Sequence, residues 1–170
     1  AGANHTLALK SNGTLYAWGL NTSGQLGLND TLYRSSPVQV GSLNTWSVIS
    51  AGSTHSYAID NTGKLYAWGN NGSGQLGNTD IIARSNPLQI GALTTWSKIY
   101  ASRFANFGFG QLTNNTLYAW GINTAYQLGT GDTLNRSSPT QITGGTTSWN
   151  TISAGASHTL GIGTDNKLYV

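Results

Sequence analysis

The sequence predicts an all-β repeat protein, and three observations predict it: motifs that recur about every fifty residues, short alternating apolar patterns inside each copy, and a composition of turn formers. Ala17-Trp18-Gly19 returns as Ala67-Trp68-Gly69 and Ala119-Trp120-Gly121, at spacings of 50 and 52 residues. Gly24-Gln25-Leu26-Gly27 returns as Gly74-Gln75-Leu76-Gly77 and, altered, as Tyr126-Gln127-Leu128-Gly129. Arg34-Ser35-Ser36-Pro37 recurs at Arg84 and Arg136, and Trp46 at Trp96 and Trp149. The opening Ala1-Gly2-x-x-His5 returns at Ala51 and Ala154, with Ala101-Ser102-x-x-Ala105 read as a degraded copy. These boundaries give repeats over 1–50, 51–100 and 101–153 and a partial one over 154–170, the whole read as a piece of a longer chain.

Each element follows from its local pattern. His55-Ser-Tyr-Ala-Ile-Asp60 and Lys64-Leu-Tyr-Ala-Trp68 alternate in a strand's period of two, and Asn61-Thr62-Gly63 between them is a hairpin turn. A second pair of strand signals, Pro87-Leu-Gln-Ile90 and Trp96-Ser-Lys-Ile-Tyr100, is joined by Gly91-Ala-Leu-Thr-Thr95. Proline suits the first residue of such a strand, where no ladder donor is needed. Hairpin pairs at 5–18, 55–68, 105–120 and 158–170, with Pro/Trp pairs at 37–50, 87–100 and 139–153, make 14 strands. Four strands per period is one blade of a β-propeller, so the chain holds about three to three and a half blades. An open arc exposes strand edges that a closed ring removes, so the expectation is an arc of a larger ring.

Composition excludes whole classes of chemistry. Cys, Met and Glu do not occur among the 170 residues, which removes thiol nucleophiles, disulfides and Cys-ligated metals. Ser, Thr and Asn together number 57, a third of the chain, and 23 Gly join them in long polar turns. Six Trp and eight Tyr supply apolar surface for a core. A net charge of +3 is too weak to predict a nucleic-acid partner, and no apolar run reaches the ~18 residues of a membrane span.

The pattern A-G-x-x-H-[ST]-x-A followed by G-x-L-Y-A-W-G-x-N-x-x-G-Q-L-G, carried from Ala51 to Gly77 and in part by the other copies, resembles the regulator of chromosome condensation repeat family. The resemblance covers essentially the whole chain. It implies a β-propeller, usually of seven blades, and the family's eponymous member is a nucleotide exchange factor for a small GTPase that also contacts chromatin. The inserted wedge and basic tail associated with that activity have no counterpart in copies so uniform in length.

Candidate sites divide by whether they repeat. His5, His55 and His158 occur once per blade, a spacing unsuited to a shared metal, and are expected to bond to backbone. Asp30/Arg34, Asp80/Arg84 and Asp132/Arg136 are expected to clip surface loops rather than to bind calcium. No paired carboxylates, activated serine or phosphate loop emerges, so no catalytic residue, metal or cofactor is expected. The third copy differs, and the candidate partner-binding residues are Lys98, Tyr100, Arg103, Phe104 and Tyr126. Phe107 and Phe109 are aligned with Leu7 and Leu9 as core. Lys98 and Arg103 are also the charges left over once loop clips and hairpin turns are assigned. Seven Asn-x-Ser/Thr sequons, at Asn4, Asn12, Asn21, Asn29, Asn71, Asn114 and Asn135, are no more than this composition produces. The expectation is a non-catalytic binding or structural module of a bacterial surface or phage virion protein, its setting extracellular, cell-surface or virion. It would display loops to a protein or glycan partner within a larger assembly; the alternative is regulation of a small GTPase.

Overall fold

The computed structural model describes residues 1–170 and contains strands, turns and no helix. Fourteen strands form four antiparallel sheets. The first sheet is β1 (His5–Leu9), β2 (Leu15–Gly19) and β3 (Arg34–Gln39). The second is β4 (Trp46–Ala51), β5 (His55–Asp60), β6 (Leu65–Gly69) and β7 (Arg84–Gln89). The third is β8 (Trp96–Ala101), β9 (Phe107–Leu112), β10 (Leu117–Gly121) and β11 (Arg136–Gln141). The last is β12 (Trp149–Ala154), β13 (Thr159–Gly163) and β14 (Leu168–Tyr169). The chain is an arc of a β-propeller, with β4, β8 and β12 packed on one another along its inner side and β3, β7 and β11 at the outer rim.

Strand number agrees with the sequence pattern, but strand pairing corrects it. The Pro/Trp segments are not hairpins. β7 closes one sheet and β8 opens the next, so the Gly91–Thr95 stretch is the crossover between blades. Each blade therefore takes its inner strand from the end of one repeat and its other three from the next. The prolines are also displaced: Pro37, Pro87 and Pro139 sit inside their strands, which begin at the arginines. An outer strand tolerates them because its far edge is unpaired and the ladder shifts register there, between Ala67 and Gly69 in the second blade.

The core lies between blades rather than within one. Leu7, Leu15, Leu26 and Val40 of the first blade pack against Trp46, Ala58 and Trp68 of the second. Tyr57, Ile59, Leu65 and Ile90 of the second meet Trp96, Ile99, Leu112 and Trp120 of the third, and Phe107, Phe109 and Ile142 of the third meet Trp149 and Ile152 of the fourth. A strand with neighbours on both faces is buried throughout, which is why all six residues of β5 are buried although their pattern alternates. Trp68 and Trp120 are inaccessible, and each indole N–H donates to the carbonyl of Gln25 or Gln75 in the preceding blade, at 2.9 and 3.0 Å.

Candidate functional site

Because the four strands of a blade alternate in direction, its first-to-second turn and its third-to-fourth loop emerge on one face. That loop face carries Gly52–Thr54 and the long 70–83 segment in the second blade, and Ser102–Asn106 and the 122–135 segment in the third. The short hairpin turns and the crossovers emerge on the other.

Each long loop is held by the same polar construction. Asn71 is fully buried, donating to the carbonyl and carboxylate of Asp80, both at 3.0 Å, while its own oxygen accepts the Leu76 N–H at 2.9 Å. Asp80 accepts the Ile82 N–H at 2.8 Å and pairs with Arg84 at 2.5 Å, and Arg84 donates to the Ile82 carbonyl. Asn21–Asp30–Arg34 and Asn123–Asp132–Arg136 repeat the arrangement, with ion pairs of 2.6 Å. The backbone N–H of Leu32 and then Arg34 hold the Asp30 carboxyl below the usual range. The clip restrains a tip whose apolar side chains point outward: Leu32, Tyr33, Ile81, Ile82 and Leu134 are all exposed. Sequence reasoning identified the ion pairs and missed the buried asparagines, whose signal was the fixed G-x-N of every copy. Burial also excludes Asn21 and Asn71 as glycan acceptors.

The third blade departs from the others on this face. Ala101 pairs with Gly108 and Phe107 with Gly121, as Ala51 pairs with Ser56 and His55 with Gly69. This register corrects the alignment: Phe107, not Ala105, occupies the histidine position, and Phe109 corresponds to Leu7 and Tyr57. The first turn is thus longer, with six positions from Ala101 to Phe107 against four from Ala51 to His55. Ser102 and Ala105 are buried and anchor the turn, the Ser102 hydroxyl accepting the Phe104 N–H at 3.3 Å. Between them Phe104 is 68% exposed, and the Arg103 guanidinium lies 4.7 Å from its ring centroid. A cation over an exposed ring contributes ~0.5–1 kcal/mol, which limits the freedom of both side chains.

The five candidate residues are not one patch. Arg103, Phe104 and Tyr126 share the loop face, and Tyr126 is 64% exposed. Lys98 lies on the inner strand β8 and donates to the Asn150 carbonyl at 2.9 Å, tying two blades together. Tyr100 is half-buried against the core between the third and fourth blades. Lys98 was singled out as a spare charge because its acceptor, a backbone carbonyl, has no sequence signature.

The histidines do not bond to backbone as expected. His5 Nε2 lies 2.9 Å from Ser56 Oγ, and Ser56 donates to the Gln25 carbonyl at 2.8 Å. With its proton committed there, Ser56 receives the imidazole N–H instead of surrendering its own, so this buried pair is an interblade strut and not an activated nucleophile. His55 has no such hydroxyl, because position 108 is glycine, and neither ring nitrogen has a partner.

Comparison with known proteins agrees with this architecture. The regulator of chromosome condensation (RCC1) repeat matches residues 12–59, 62–104 and 114–162. A human protein, the probable E3 ubiquitin-protein ligase HERC3, is 45% identical over 49 residues, which are 29% of this chain and 5% of that protein. Among solved structures, Prp20p of Saccharomyces cerevisiae, described with its binding to Gsp1p and histones, superimposes with a TM-score of 0.83 at 23% identity, covering 95% of this chain and 42% of that one. Human WBSCR16 also gives 0.83, at 22% identity, over 99% of this chain and 45% of its own. The chain thus spans less than half the length of these relatives, and at such identities the likeness is one of fold. With the repeat matched along most of its length and four blades built to one plan, the chain belongs to the RCC1 repeat family.

Proposed function

We propose that this arc is a non-catalytic protein-binding module whose loop face makes the contact. One observation carries the reading: on a face of clipped, restrained loops, the third blade alone lengthens its first turn and sets Phe104 outward under Arg103. An aromatic and an arginine on a rigid scaffold are the side chains that dominate protein interfaces. The exposed Leu32, Tyr33, Ile81, Ile82 and Leu134 extend apolar contact around the same face. A glycan partner has less to recommend it, since no ring of polar side chains surrounds Phe104. The Glu-free, Cys-free composition rich in Ser, Thr and Asn supports an extracellular, cell-surface or virion setting.

The test compares proteins recovered with the parent chain, with Arg103→Ala/Phe104→Ala and with Lys167→Ala on the opposite face. The proposal expects at least one protein whose recovery drops about tenfold with the double variant, a loss of ~1.4 kcal/mol, and not with Lys167→Ala. An identical set for all three would overturn it. The likeness to Prp20p favours a second reading, regulation of a small GTPase. Acceleration of nucleotide release from Gsp1p by this chain would establish that reading in place of the first.

A further inference from the structure

The largest cavity, about 520 Å³, opens between the third and fourth blades beside Gly129 and is lined by Gln127, Ile142, Trp149, Thr159 and Tyr169. Its equivalents in the other blades show what such a space holds. A Cβ placed on Gly27 would lie 2.8 Å from Trp68 Nε1, and one on Gly77 would lie 3.1 Å from the Trp120 ring. At Gly129 the same construction meets nothing nearer than Ile142, at 3.8 Å. The polar end of the seat is present too. The Gln25 carbonyl accepts both Ser56 Oγ and Trp68 Nε1, whereas the Gln127 carbonyl accepts Thr159 Oγ1 at 2.8 Å and has a second lone pair directed to the cavity side.

A strand edge lies alongside. β14 pairs with β13 only through Tyr169 and Leu168, opposite Gly161 and Ile162. In the second blade the third strand continues to Trp68 opposite Ser56 and Gly69 opposite His55. The corresponding stretch of backbone, at Thr159 and His158, is therefore open to a further strand.

We propose that this cavity is a tryptophan seat, and that its occupant is the Ala-Trp-Gly strand of another repeat of this family, its main chain adding to the edge at His158–Thr159 and its indole entering beside Gly129. The chemistry matches at each contact: an apolar bicycle for Ile142 and Trp149, an indole N–H for the Gln127 carbonyl, and glycine after tryptophan for the close approach. Strand addition supplies affinity through main-chain hydrogen bonds, and the pocket supplies specificity.

Acetyl-Ala-Trp-Gly-amide, titrated against the 170-residue chain by calorimetry or by ¹⁹F NMR of a fluorotryptophan version, tests this directly. Saturable binding is expected, weakened about tenfold or more when the peptide tryptophan is alanine. Gly129→Asn, which tolerates a left-handed backbone while filling the seat, should reduce binding to a similar degree without lowering the melting temperature. Three outcomes would overturn the proposal: no saturation at millimolar peptide, equal binding of the tryptophan and alanine peptides, or free indole binding as tightly as the peptide. The last would make the cavity a small-molecule site with no strand addition. The alanine-peptide comparison uses the parent chain and stands whether or not the variant folds.

Discussion

The Tyr57 ring covers the face of Gly108, and a Cβ on that glycine would lie 2.5 Å from the phenol oxygen. The pair replaces a hydroxyl link used elsewhere between blades. Ser56 and Thr159 each reach back to a glutamine carbonyl of the preceding blade; glycine at 108 cannot, and Tyr57 OH donates to the Gln75 carbonyl from the other side. Burial pushes the Tyr57 phenol well above its usual range, so it remains a donor. Gly108→Ser alone is expected to cost ~1–3 kcal/mol by overpacking, and Tyr57→Leu alone should also destabilise. Together they recreate the first interface, where Leu7 and Ser56 occupy these positions, and the double variant should be more stable than the sum predicts by ~1–3 kcal/mol. Chemical denaturation of the four proteins checks it; additive losses would refute the exchange.

Acid stability should follow two histidines. Burial holds His5 down to about 4 and His55 to about 3, from an ordinary 6.5. The folded state keeps them neutral while the unfolded state takes up protons below 6.5, so their stabilisation is complete above that pH and is lost as pH falls toward the folded values. The slope is ~1.4 kcal/mol per pH unit for each histidine over that window. His55→Phe copies what the third blade does with Phe107, whose ring meets Phe109 edge-on as His55 meets Tyr57. Melting temperature measured from pH 7 to pH 4.5 should fall about half as steeply in that variant.

The loop clip should control local order more than global stability. Asp80→Ala removes the acceptor of the Ile82 N–H and the partner of Arg84. Hydrogen exchange across 79–84 should accelerate about tenfold or more, as expected for a loop that now opens locally, with exchange in β5 and β6 unchanged. Unaltered exchange in the loop would mean that Asn71 alone suffices to hold it.

Tyr126 should carry backbone strain. Its φ is +62°, where the other copies place Gly24 and Gly74 at +78°. At those glycines the outer strand of the next blade approaches, with Ser85 and Ser137 Cα atoms 2.6 and 2.7 Å from a built Cβ. A tyrosine in this region costs ~1 kcal/mol or more. Tyr126→Gly is therefore expected to raise the melting temperature by about 2–4 °C, the shift ~1 kcal/mol gives in a domain of this size, and an unchanged or lower value would show that the side chain repays its strain by packing.

Which features were legible in the sequence depends on the range of the interaction behind them. The Asp30/Arg34 pair and its copies close a loop four residues long, so spacing was enough to read them. Fourteen strands were likewise countable, since alternation and turn residues are local. The tryptophans were correctly placed in the core, with Trp18, at the open side of the first blade, left half-buried. The two errors share one cause. Pairing Pro87–Ile90 with Trp96–Tyr100, and matching Ala105 to the histidines, both relied on neighbours in the chain where the ladder relies on neighbours in space.

By itself the sequence determined the all-β class, the repeat length, the family likeness and the singular character of the third copy, because each rests on local periodicity or on comparing one copy with another. The tertiary structure decided which strands share a blade, that Phe107 takes the histidine position, that Lys98 is committed to Asn150, and that Gly129 faces a cavity. Those four depend on contacts between residues of adjacent blades. Such contacts are fixed by how sheets stack and leave no spacing in one chain from which to read them.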